Sequence, residues 1–168
     1  MTKIPVYSIY LIYTGVLALL LLSVVSKKEI RNLAIYGIIF GAVADIIIIL
    51  IVKALGVGAY RNYGPLGFLD IPFMPPIAWT IYFMIYFYLL PSKYPWNYFF
   101  AFIGGCYSVF FSNILANFGI FSWTLSKVIL PFIVYQLWHF FATWSYLKII
   151  NNNDHFFNNI YQSEEHRK

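Results

Sequence analysis

The sequence predicts an all-α integral membrane bundle of five transmembrane helices, on three observations. Of its 168 residues, 61% are hydrophobic and 10% charged, against about 25% charged in an ordinary soluble domain. Five apolar runs approach the roughly 20 residues a helix needs to cross the hydrocarbon. Basic residues fall unequally on the two sides those runs would leave, as the positive-inside rule expects.

The runs cover residues 4–25, 33–54, 72–90, 98–117 and 126–150. The first follows Lys3 and ends in small residues, as a signal peptide would. It is longer than a usual h-region, and Ser23-Val-Val-Ser26 matches an A-x-A cleavage site poorly, so a retained helix is expected. The loop Ser26-Lys-Lys-Glu-Ile-Arg-Asn32 leads into the second run, which carries Asp45 near its middle. Pro72, Pro75 and Pro76 crowd the third, and proline is tolerated in a first helical turn. A helix from Pro72 spans, whereas one starting only at Ile77 leaves a re-entrant segment. The fourth run holds the lone Cys106, which can form no internal disulfide. The fifth ends at Asn151-Asn-Asn-Asp154, leaving residues 151–168 as a short cytoplasmic tail whose Phe156-Phe157 and Ile160-Tyr161 suit the membrane surface.

Five spans put the termini on opposite sides. Lys27, Lys28, Arg31, Lys93, Lys148, Arg167 and Lys168 share one side, against Lys3, Lys53, Arg61 and Lys127. The N-terminus is then outside and the C-terminus cytoplasmic, in the cell membrane. The net charge of +5 reflects this bias and attraction to anionic headgroups. No basic cluster accompanies a soluble domain, so nucleic acid is not an expected partner.

A carboxylate at mid-membrane costs at least about 2.5 kcal/mol and usually faces protein or water. Asp45 is therefore the leading candidate site residue. Gly37, Gly41 and Asp45 recur every four residues on one face, and small residues let another helix approach closely. Gly104, Ser108, Ser112 and Ala116 form a longer stripe on the fourth helix, making the second and fourth helices candidates for close packing. On the fifth helix Gln136, His139 and Thr143 share a polar face. At about 1.5 Å per residue, Asp45 lies about 18 Å and His139 about 16 Å from the cytoplasmic end. A buried cluster of Asp45, His139, Gln136, Asn113 and Thr80 or Tyr107 is thus expected, with Asp45 and His139 within hydrogen-bonding reach, directly or through one water. Such a cluster serves either as interhelical glue or as a proton relay. One His and one carboxylate fall short of a metal shell, so no metal is expected, and no phosphate loop or nucleophile motif appears.

The loop from Gly56 to Asp70 is long for so short a chain. Tyr60, Arg61, Tyr63 and Asp70 could close the outer end of the bundle or simply anchor a turn at the headgroups. Aromatic residues make up 22% of the chain, either as interfacial belts or as a groove for an isoprenoid, quinone or carotenoid.

The layout from Ser26-Lys-Lys-Glu-Ile-Arg through Gly37, Gly41, Asp45, Tyr60-Arg-Asn-Tyr-Gly-Pro65, Pro76-x-Ala-Trp79 and Tyr88-Leu-Leu-Pro91 resembles small polytopic membrane proteins of spore-forming Gram-positive bacteria. That resemblance implies no activity. A fainter one, at Asp45, Tyr60, Tyr63, Pro76 and Trp79, is to the carotenoid hydratases. The first functional expectation is a non-enzymatic membrane subunit or accessory protein, partnered by lipid and by another membrane subunit or a second copy. A transporter or proton-coupled channel using Asp45 and His139 is the second. A lipid or isoprenoid enzyme using Asp45 as acid is the third. A dry interior favours the first, a water-lined path the second, and a lateral apolar cleft ending at Asp45 the third.

Overall fold

The computed structural model describes residues 5–68 and 71–165. Among them the chain is all-α in outline, with two short β ribbons. Helix α1 is Ser8–Val24. Helix α2 runs from Lys27 to Ala54, so the expected basic loop forms its first turns. Ser26 explains this: it has extended backbone, and its hydroxyl accepts the Glu29 N–H at 3.3 Å, the N-capping geometry. Residues Ile38–Val43 within α2 are π-helical, and the Trp138 indole N–H donates to the Phe40 carbonyl there at 2.8 Å.

Helix α3, Met74–Leu89, carries Pro75 and Pro76 in its first turn. It begins between the two onsets the prolines suggested, after a ribbon pairing β2 (Gly67–Phe68) with β3 (Ile71–Pro72). Helix α4 is Trp96–Asn117 and α5 is Ile129–Glu165. The expected helix end at the asparagine run is therefore corrected. Asparagine lowers helix propensity by at most about 0.7 kcal/mol per residue, and neither Gly nor Pro interrupts residues 151–165.

Helices α1 and α2 both pack on α3, while α4 packs on α5. The glycine face of α2 thus receives α3, where the sequence suggested the fourth helix. A Cβ on Gly41 would stand 2.5 Å from the Trp79 carbonyl oxygen, and one on Gly37 2.8 Å from that of Thr80. Spacing marks a face as small without saying which helix covers it. Gly37, Gly41, Gly104, Ser108 and Ser112 are all buried.

Strand β1 (Gly58–Tyr60) pairs antiparallel with β4 (Phe121–Trp123), Tyr60 opposite Phe121. This ribbon ties the α2–α3 connection to the α4–α5 connection. Asn62, in the left-handed region at φ 53° that Asn tolerates, donates its amide to the Gly119 carbonyl at 2.8 Å. The Tyr10 hydroxyl of α1 lies between the Arg61 and Ile120 carbonyls. Three segments are thereby fastened at one end of the bundle. By length and composition two helices, Lys27–Ala54 and Trp96–Asn117, could cross a membrane, while Ser8–Val24 and Met74–Leu89 are apolar but shorter.

Candidate functional site

Asp45 is buried just beyond the π-helical segment, at 4% exposure. Its partner comes from the ribbon: the Tyr60 hydroxyl donates to Asp45 Oδ1 at 3.0 Å, the Tyr60 ring held edge-on by Phe121 at 4.9 Å. Burial first, and the neighbouring carboxylate second, hold the Tyr60 phenol well above its ordinary pKa, so it keeps its proton. Asp45 Oδ2 has no hydrogen-bond partner among the described residues, and neither has the Trp123 indole N–H. Asp45 and Trp123 line the same small cavity of about 10 Å³.

His139 is fully buried. Its Nδ1 lies 2.8 Å from the Tyr135 carbonyl, which can only accept, so Nδ1 carries the hydrogen. In the neutral imidazole Nε2 is then the acceptor. The Tyr82 hydroxyl, 3.0 Å away, donates to it, and Ser108 Oγ lies at 3.4 Å.

Asp45 and His139 both face the interior as their depth suggested, but they do not share a hydrogen bond. Successive residues of an α-helix point about 100° apart. On α5, Trp138 takes the direction of α2, bonding Phe40 and lining the Asp45 cavity. His139 is thereby turned toward Tyr82 and Ser108. The rest of the expected cluster is dispersed as well. Gln136 donates to the Phe102 carbonyl at 3.1 Å, in the space that Gly105 leaves. Asn113 donates to the Val109 and Lys127 carbonyls, fastening α4 to the segment entering α5. Thr80 bonds the Pro76 carbonyl of its own helix, and Tyr107 stacks on Tyr82.

Of the loop residues, Tyr60 turns inward to Asp45, and Arg61 Nε donates to Ser122 Oγ at 3.1 Å. Tyr63 packs over Gly67. Asp70 lies outside the described residues. No group of three His, Cys, Asp or Glu among the described residues could hold a metal ion.

A cleft of about 270 Å³ lies between α1, α3 and α4. Its rim includes Ile12, Val16 and Leu20 of α1 and Tyr107 of α4, each about half exposed. Along one wall the Tyr82, Tyr107 and Phe111 rings are nearly parallel, at interplanar angles of 5° and 8°. Tyr60, Phe121 and Tyr135 line both this cleft and the Asp45 cavity, so Tyr60 stands between the two. Sequence reasoning missed Tyr82, Trp79 and Tyr135 as one wall, although Trp79 and Tyr82 share a helical face at i, i+3. Comparison with protein-family models, curated proteins and solved structures gives no match.

Proposed function

We propose that this chain is a five-span integral membrane protein, N-terminus outside and C-terminus cytoplasmic, that takes a neutral isoprenoid lipid from the bilayer into the cleft between α1 and α4. The observation that carries the reading is the cleft itself, open sideways past apolar rim residues and lined by no charged side chain. A phosphate headgroup would find no cation there. The parallel rings offer flat faces that suit an unsaturated chain. The volume is nearly twice the ~150 Å³ cavity that holds one benzene. A chain segment therefore fits, and the remainder leaves through the open side.

The membrane setting is supported by large apolar side chains facing outward, such as Leu19 at 66%, Leu22 at 67%, Phe110 at 64% and Leu137 at 67% exposure. A monomeric soluble protein rarely shows so continuous an apolar surface. Helices α1 and α3, with 17 and 16 residues, reach about 25 Å at ~1.5 Å per residue. That is a few ångströms short of the average hydrocarbon, a mismatch local thinning accommodates. The cleft weighs against a purely structural accessory, which a dry, filled interior would favour. The separate partners of Asp45 and His139 weigh against a shared proton relay.

Binding can be measured in lipid nanodiscs with retinol, a fluorescent isoprenoid alcohol, by energy transfer from Trp79 and the other tryptophans. Saturable transfer is expected, weakened about tenfold by Val16→Phe, which narrows the mouth. Transfer that never saturates, or is indifferent to Val16→Phe, would remove the reading. One observation favours a second reading, an isoprenoid enzyme using Asp45 as acid: Tyr60 lines the cleft while bonded to Asp45. Mass spectrometry of the lipid after incubation separates the two, since binding alone leaves its mass unchanged.

A further inference from the structure

We infer that the cleft selects a lipid alcohol, whose hydroxyl donates to the Tyr82 phenol oxygen, over an isoprenoid ether, ketone or quinone. The inference rests on the lipid-binding reading above and follows from where the protons around Tyr82 already go. Tyr60 donates to Asp45 Oδ1. The His139 Nδ1 hydrogen is directed to the Tyr135 carbonyl, which fixes Nε2 as acceptor and commits the Tyr82 proton to it. Ser108 donates to the Gly104 carbonyl at 2.9 Å, and Ser112 to that of Val109 at 2.9 Å.

Tyr107, at the rim of the cleft, is half exposed.

What the wall around Tyr82 offers a ligand inside the cleft is lone pairs. Those of Tyr82 and Ser108 lie together where α3 meets α4, with His139 behind them. A ligand O–H completes a chain in one direction, from ligand to Tyr82, to His139 Nε2, and from Nδ1–H to the Tyr135 carbonyl; hydrogen bonds in series strengthen one another. A carbonyl or ether oxygen at the same place meets another lone pair and loses its water without replacement. His139 acts here as a positioning residue, since its tautomer keeps the Tyr82 proton pointing away from the cleft.

The test compares retinol with retinyl methyl ether, both fluorescent, on the full chain in nanodiscs. Wild type is expected to bind the alcohol about tenfold more tightly, and Tyr82→Phe to bind both alike. Equal binding of the two by wild type would overturn the alcohol selection while leaving lipid binding intact. Discrimination that survives Tyr82→Phe but disappears in Tyr60→Phe would overturn the assignment to Tyr82. Failure of wild type to bind either compound would remove the lipid reading itself.

Discussion

Asp45 holds an asymmetric position: one oxygen bonds Tyr60 and the other faces a cavity shared with Trp123. Buried polar groups in native proteins are almost always paired, with water serving where protein does not. The cavity, about 10 Å³, is at the lower bound for one water. A density map fine enough to show interior waters is expected to reveal one bridging Asp45 Oδ2 and Trp123 Nε1. Empty density there, with waters visible elsewhere, would refute the bridge. Substitution offers a second check. Asp45→Asn retains an oxygen for Tyr60, whereas Asp45→Leu leaves a buried hydroxyl unpaired at about 1–3 kcal/mol. Thermal unfolding in detergent should lower the midpoint of Asp45→Leu clearly more than that of Asp45→Asn. The sequence showed that Asp45 would be covered by protein. It did not show Tyr60 as the cover, because that bond depends on how the connection after α2 folds back along β4.

At the scale of elements, the closest approach is between α2 and α3, where Gly41 meets the backbone at Trp79. Backbone cannot step aside as a flexible side chain can, so even one methyl group forces the helices apart. Gly15 is the internal control, since a Cβ there meets nothing within 4 Å. Gly15→Ala should leave stability unchanged or raise it by up to about 1 kcal/mol through helix propensity, while Gly41→Ala should lower the unfolding midpoint. Similar midpoints for the two variants would show that the crossing is looser than its geometry indicates. The adjacent glycines of α4 have related roles, Gly104 making room for His139 and Gly105 for Gln136. Their small size was legible as a stripe. Their matching to two polar residues of α5 was not, because a stripe carries no record of the helix that will lie on it.

For the whole molecule, the ribbon of β1 and β4 draws two connections and the start of α1 to one end of the bundle. In the topology proposed above that end lies outside, with Arg61 there and Lys27, Lys28 and Arg31 opposite. Cysteines placed singly at Asn62 and Ser163 in a Cys106→Ser background can be probed in intact cells with an impermeant thiol reagent. Labelling at Asn62 and protection at Ser163 are expected. The reverse pattern would invert the topology, and labelling at both positions would mean an even number of spans.

The sequence by itself determined the helical class, the approximate helix positions and the burial of Asp45, Gln136 and His139. These follow from local rules, namely apolar run length, the Ser26 cap, prolines confined to a first turn and small residues every four positions. It misjudged the end of α5 because a run of asparagines weakens a helix without stopping it. Only the tertiary structure decided the pairings. Asp45 met Tyr60 instead of His139 because Trp138, one residue earlier on α5, occupied the direction of α2. The cleft arose because α1 packs on α3 while α4 packs on α5, leaving a gap between α1 and α4 that no single segment records. Periodicity fixes which side of a helix is buried, whereas the partner on that side depends on contacts between residues far apart in the chain.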